Sequence, residues 1–284
     1  MRLIRFEQDG SIRQGVLVDG TAALDVTDYV DDFDGAFFAA GGVAGLAKQL
    51  VTAVVPTVAV EGLHLASPVA RTPIIVCIGL NYSDHARESG AQVPTEPIVF
   101  LKTAATIVGP EADVIIPRRS LKTDWEVELG VVMGGVARYL DSPDDARALI
   151  AGYVLSNDVS EREFQLERGG QWDKGKSCET FNPLGPWLVT ADEISDPQAL
   201  GMWCDVNGER MQDGNTADMI FGVHHLVWYL SQFMVLHPGD IINTGTPAGV
   251  GLGMSPPRYL VAGDVMTLGI EGLGEQRHVC VAAD

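Results

Sequence analysis

From Pro68 onward the chain is broken into short runs rich in β-branched residues, among them IIVCIGL, IVFLKT, DVIIP and VELGVVMG, separated by Gly, Pro, Asn and Asp. Runs of that length read as strands, and helices do not follow them regularly. A doubly wound parallel sheet is therefore disfavoured, and a β-rich α+β main domain is expected over 69–284. Three helical stretches interrupt it. One covers 143–151, opened by Asp141 and Ser142; a short one starts at Ser160; the third covers 217–236 and is stopped by Pro238 and Gly239. Ahead of Pro68, β-like pieces at 2–7 and 15–18 accompany an alanine-rich stretch, 35–54, of helical texture. Together these predict a small N-terminal α/β domain over 1–68.

Charge narrows the partners. Over 284 residues, 19 basic and 38 acidic side chains give 19 − 38 = −19. That field repels phosphate backbones and anionic membranes, so neither nucleic acid nor a membrane is expected as a partner, and an anionic substrate needs a local cation. The apolar run 74–80 is too short to span a bilayer, and the charged start lacks a signal peptide's apolar segment, so a cytoplasmic location is expected. Cys77, Cys178, Cys204 and Cys280 are widely spaced and show no zinc-ligand pattern.

In TDWEVELGVVMG, strand alternation puts Trp125, Val127, Leu129, Val131 and Met133 on one face and Glu126 and Glu128 on the other. At roughly 7 Å and an effective dielectric near 20, two carboxylates repel by about 2 kcal/mol, which water, a basic residue or a cation must offset. Asp158 ends another apolar stretch, GYVLSND, where a strand would deliver it to the same end of the sheet. Three oxygen ligands without a histidine suit Mg²⁺, Mn²⁺ or Ca²⁺ better than zinc; a solvated strand face also fits the spacing. In IGLNYSDHARESG, His85 and Glu88 share one helical face. They are either a poised acid–base pair or an exposed pair capping a short helix, and Gly90 through Pro97 offers a possible lid. His224 and His225, within an apolar helix, read as packing residues.

Residues 170–177, GQWDKGKS, match the P-loop pattern, but a helix end precedes them and two prolines follow, so no strand and helix are there to surround a phosphate. Lys176 remains as a notable cation in an acidic chain, or a surface-loop lysine, and Lys102 in IVFLKT shares that ambiguity. The segment IINTGTPAGVGLG offers free amides that can hold a carboxylate, or forms a plain series of turns.

Taken in order, IGLNYSDHARE, FLKTAATIVGP, DWEVELGVV, GYVLSNDVSER, GKSCETFNPLGPWLVT and NTGTPAGVG resemble the fumarylacetoacetate hydrolase family across about 70–284. Gly170-Gln171-Trp172, GMWCDVNGE and the PPRYL tail are similar to hydrolases of 2,4-diketo-3-deoxy sugar acids of the rhamnonate and fuconate type. Where relatives carry Asp after Lys-Ser-x, this chain has Glu179. The resemblance implies a mixed β-roll and a homodimer. It also implies a divalent metal on Glu126, Glu128 and Asp158, a catalytic His85–Glu88 pair on a lid, and Lys176 beside the metal. Lys102, Arg162, Gln165 and Thr246 are the implied contacts to a small anionic dioxo-acid substrate.

The activity so implied is hydrolysis of a carbon–carbon bond in a 2,4-dioxo acid within sugar-acid catabolism, yielding pyruvate and, for the rhamnonate type, lactate. Oxaloacetate decarboxylation, tautomerisation or hydration would use the same metal and enolate. A non-catalytic protein stabilised by metal at the three carboxylates remains a reading of a different class.

Overall fold

The computed structural model describes residues 1–88, 90 and 92–284. Its centre is the strand Val127–Met133, every residue of which is buried. That strand pairs antiparallel with Ile150–Asn157 on one side and with Ile241–Asn243 on the other. Ile241–Asn243 continues in parallel to Ile75–Gly79, which pairs antiparallel with Ile98–Lys102. In the opposite direction, Ile150–Asn157 pairs with Leu188–Thr190, and Leu188–Thr190 pairs with the N-terminal strand Arg2–Gln8 through Arg2↔Val189. Ser11–Leu17, Ala22–Asp25 and Thr57–Ala59 follow, and His64–Ala66 joins Arg2–Gln8, making one sheet of eleven strands.

A second sheet of five strands runs Glu209–Asn215, Gly201–Val206, Val265–Ile270, Gly274–Ala282 and Val114–Ile116. The two sheets enclose the largest core, in which Trp125, Val127, Leu129, Val131 and Met133 meet Met202, Cys204, Val206, Met266 and Leu268. Val132 and Val154, on the opposite face, pack with Leu3, Phe38 and Leu46 beneath the helices Gly35–Ala39 and Gly42–Leu50. The alternation read from the sequence thus sorts into two cores, one on each side of the sheet. The molecule is mixed and strand-rich, with little helix.

Helical expectations hold in place more than in length. The stretch 35–54 is two helices separated by a left-handed Gly41. That at 143–151 is the 3₁₀ helix Pro143–Leu149, opened by a Ser142–Asp145 capping box. At Ser160 the chain first makes the short strand Ser160–Glu161, and only then the π-helical turn Glu163–Glu167. The long helix shrinks to Val223–Ser231, because Thr216–Asp218 forms a 3₁₀ turn and Asn81 holds Phe221 through its backbone. No described helix is long and apolar enough to cross a membrane.

Candidate metal centre and active site

Antiparallel pairing puts the beginning of Val127–Met133 beside the end of Ile150–Asn157, and there the three carboxylates meet. Asp158 N donates to Glu126 O at 2.9 Å, extending the ladder by one step. One oxygen from each of Glu126, Glu128 and Asp158 lies within 4.8 Å of the others, closer than ideal i, i+2 alternation gives. The reason is a break in the strand. Thr123–Asp124 pairs with Ser160–Glu161, the next ladder starts at Val127, and between them Glu126 N bonds to Asn157 Oδ1 at 3.2 Å. Exposure is 5%, 1% and 0% for the three, so this is no solvated strand face.

Three cations partly balance the cluster. Lys176 Nζ donates to Glu126 Oε2 at 2.8 Å and to Asp158 Oδ2 at 2.7 Å. Arg162 spans Glu126 Oε1 (2.7 Å) and Asp124 Oδ2 (2.8 Å from Nε). Lys102 lies behind Asp158, bonded to its Oδ1, to Phe181 O at 2.6 Å and to Val159 O at 3.3 Å. With its three donors so used and no place on the cavity wall, Lys102 sets the charge of the cluster. The substrate contact expected of it from sequence does not follow from this position.

Counting Asp124, Glu126, Glu128 and Asp158 against Lys102, Lys176 and Arg162 leaves −4 + 3 = −1. Glu128 carries the imbalance: among the described residues no cation pairs with it, and its Oε2 accepts only the Gly245 amide, at 2.8 Å. Burial, then the charges of Asp158 and Glu126, push its carboxyl well above the usual range. Burial works the same way on Glu126, but Lys176 and Arg162, with His85, outweigh it and hold that carboxyl well below. Three converging hard oxygen donors short of positive charge fit a divalent cation of the Mg²⁺, Mn²⁺ or Ca²⁺ kind.

The glycine-rich loop does hold carboxylates, and they are the protein's own. Gly245 N binds Glu128, Gly249 N binds Glu88 Oε2 at 2.9 Å, and Gly251 N and Leu252 N bind the two oxygens of Asp124 at 2.7 and 2.9 Å. Thr246 Oγ1 donates to Val127 O at 2.9 Å and accepts from Gln212 at 2.7 Å, tying the loop to the central strand.

All of this opens onto a cavity of about 220 Å³ whose wall includes His85, Glu126, Glu128, Arg162, Gln165, Lys176 and Thr246. His85 and Glu88 lie on the helix Ser83–Glu88, with Nδ1 and Oε2 3.8 Å apart. That is an ion-pair distance which would have to shorten for a hydrogen bond. The segment 90–97 expected to act as a lid contains residue 91, which lies outside the described residues. Gln165 Oε1 accepts from Arg162 at 3.1 Å, which turns its amide nitrogen away from that guanidinium. Lys176 sits in the single turn Asp173–Lys176, and no helix follows Ser177, so the P-loop match is a coincidence of letters. Glu179 is exposed and off the cavity wall.

Sequence reasoning missed Asp124, Asn81 and Gln212. Asp124 stands two residues before Glu126 in the same acidic run, which was its one signal. The roles of Asn81 and Gln212 arise from contacts 163 and 34 residues away along the chain and left none.

Comparison with known proteins agrees with this geometry. Residues 74–281 match the family described as fumarylacetoacetate (FAA) hydrolase C-terminal. A Burkholderia multivorans protein described as a hydrolase is 50% identical, the match covering 100% of each chain. The solved fumarylacetoacetate hydrolase of Exiguobacterium antarcticum is 35% identical with a TM-score of 0.87, and covers 100% of each chain. Maleylpyruvate hydrolase from Sphingobium sp. SYK-6, solved with manganese(II) and pyruvate, is 28% identical with a TM-score of 0.81, again over 100% of each chain.

Proposed function

The chain belongs to the fumarylacetoacetate hydrolase family, and from that membership we propose that it is a metal-dependent hydrolase cleaving the C3–C4 bond of a 2,4-dioxo acid. The observation that carries this reading is the convergence on one small cavity of three buried carboxylates, a buried lysine and a histidine–glutamate pair. A bound divalent cation would supply the charge that anchors the 1-carboxylate and 2-oxo oxygens and favours an enolate at C2.

The chain's own groups do the rest. Glu88, 3.8 Å from His85 Nδ1, orients the ring once that distance closes to a hydrogen bond, so that Nε2 takes the proton of a water adding to the C4 carbonyl. Lys176 Nζ, held on the cavity wall between Glu126 and Asp158, supplies positive charge toward the negative charge that develops on the C2 oxygen. The Gln165 amide, oriented by Arg162, donates to a substrate oxygen. As C3–C4 breaks, the acyl carbon leaves as a carboxylic acid and C3 takes up a proton to give pyruvate. For 2,4-diketo-3-deoxy-L-rhamnonate, the sugar-acid substrate suggested by the sequence, the second product is lactate.

The test is pyruvate release from that compound and from a simple acylpyruvate, with Mg²⁺ or Mn²⁺ or with chelator, for wild type and His85→Ala. Metal-dependent release lost in the variant is the expected result. Conversion of substrate into an isomer without pyruvate would replace hydrolysis with tautomerisation.

A further inference from the structure

We infer that the cavity selects dioxo acids whose acyl group is small and uncharged and rejects those ending in a second carboxylate. This rests on the hydrolase reading and narrows it. Away from the acid cluster the wall is mostly carbon, from Ile78, Phe100, Leu166, Trp172 and Leu252, with Gln165 and Thr246 as its neutral polar members. Trp172 meets Phe100 edge-on with ring centroids 5.5 Å apart, so the two brace one another.

Cations lining the cavity among the described residues are Arg162 and Lys176, with His85 reserved for proton transfer. Both are already committed. The charge of Arg162 is balanced between Asp124 and Glu126, although its Nη2 makes no hydrogen bond, and that of Lys176 between Glu126 and Asp158, with its ammonium 5.0 Å from the centre of the Phe100 ring. Cations on the flanking elements turn elsewhere. Arg87 donates to Ser83 O, Arg168 pairs with Glu163 over the Phe164 ring, and Lys174 donates to Arg168 O.

A carboxylate at the far end of the substrate would therefore give up water for a mainly hydrocarbon wall with no cation of unbalanced charge among the described residues to receive it, which opposes binding. An alkyl group of the same length loses nothing polar and gains contact. The whole-chain charge of −19 adds to the bias against a dianion. A cavity of about 220 Å³ also lies below the range typical of drug-sized ligands, which suits a small acyl group.

Two probes of equal carbon count separate the cases: butanoylpyruvate, ending in a methyl group, and succinylpyruvate, ending in a carboxylate. With the Mg²⁺-loaded protein, kcat/KM for butanoylpyruvate should exceed that for succinylpyruvate on the order of 100-fold or more, chiefly through KM. Leu166→Arg, which places a guanidinium at the partly exposed rim, should move the ratio about tenfold toward succinylpyruvate. Values within about threefold of each other in wild type, or a preference for the diacid, would overturn the selection while leaving the hydrolase reading intact. If neither probe nor 2,4-diketo-3-deoxy-L-rhamnonate releases pyruvate, the hydrolase reading falls. Selection is then read by calorimetry on the same metal-loaded protein, where tighter binding of butanoylpyruvate upholds it and equal affinities overturn it.

Discussion

Replacing Asp124 with asparagine should cost the fold about 4–6 kcal/mol, although Asp124 touches neither the expected metal nor the cavity wall. The side chain is fully buried. Its Oδ1 accepts the amides of Trp125 (2.9 Å) and Gly251 (2.7 Å), and its Oδ2 accepts Leu252 N (2.9 Å) and Arg162 Nε (2.8 Å), with Arg162 Nη2 also 2.8 Å away. Asparagine keeps the shape, removes the charge and turns one acceptor into a donor. Breaking one side of a buried ion pair costs about 3–5 kcal/mol, and at least one amide left facing another N–H adds about 1–3 kcal/mol. Arg162 retains Glu126, so the sum falls below the top of the combined range. Against a total stability of about 5–15 kcal/mol, that loss is large enough to read from urea denaturation in chelator. Arg162→Met and the double variant complete a cycle. Because the double variant leaves neither charge stranded, it should be at least about 2 kcal/mol more stable than the sum of the single losses predicts. A loss under about 1 kcal/mol for Asp124→Asn, or strict additivity in the cycle, would refute the assignment of Asp124 as the anchor of this network.

Three further outcomes are expected. Burial and its acidic neighbours raise the Glu128 carboxyl, so its ionised form weighs against the metal-free fold as pH rises above the ordinary glutamate range. Glu128→Gln should therefore melt higher than wild type in chelator at pH 8 and lose the rise in Tm that Mg²⁺ or Mn²⁺ gives wild type; a variant with the full metal-induced rise would contradict the site. In Gly253→Ala the new Cβ would lie 2.3 Å from Glu88 Cγ and Cδ. Displacing Glu88 should lower kcat on the order of 100-fold with metal affinity unchanged, and normal turnover would remove Glu88 from the reaction. Burial pushes the His278 pKa from 6.5 down to about 4. Its stabilising effect is then full above pH 6.5 and declines by about 3 kcal/mol as pH falls to 4, a slope that His278→Gln should abolish. Imidazole resonances still charged at pH 6 would mean instead that the two oxygens facing the ring, Ala112 O and Gln276 Oε1, outweigh burial.

What could be read in advance follows a physical boundary. Alternation along 125–133 gave the two faces of the central strand correctly, because Glu126, Glu128 and Gly130 fall on one face and the large apolar residues Trp125, Val127 and Leu129 on the other, although both faces are buried. Glu126, Glu128 and Asp158 were legible as a group since two share a strand and the third ends a strand of similar texture. Their closeness was not, because the break at Trp125 and Glu126 depends on Asn157 across the sheet. Lys102 and Arg162 read as candidate anion binders. Their actual partners, Asp158 and Asp124, lie 56 and 38 residues away, and no local pattern records such pairings. Likewise, the pairing of Arg2 with Val189 that joins the first strands to the main sheet has no signature in either segment.

The glycine-rich loop gives the site an unusual profile of mutational tolerance. It grips Glu128, Glu88 and Asp124 with backbone amides, which no replacement except proline deletes. Sensitivity along it should follow clearance: a Cβ on Gly249, whose φ is +101°, would sit 1.9 Å from Met211 O, and one on Gly251 would sit 1.8 Å from Arg258 O. The carbon wall of the cavity is separate from that grip, apart from the Leu252 amide, which belongs to the backbone. A library varying Ile78, Leu166 and Trp172 would therefore explore new acyl groups while the acid cluster stays assembled, so retargeting and chemistry can be varied almost independently in this scaffold.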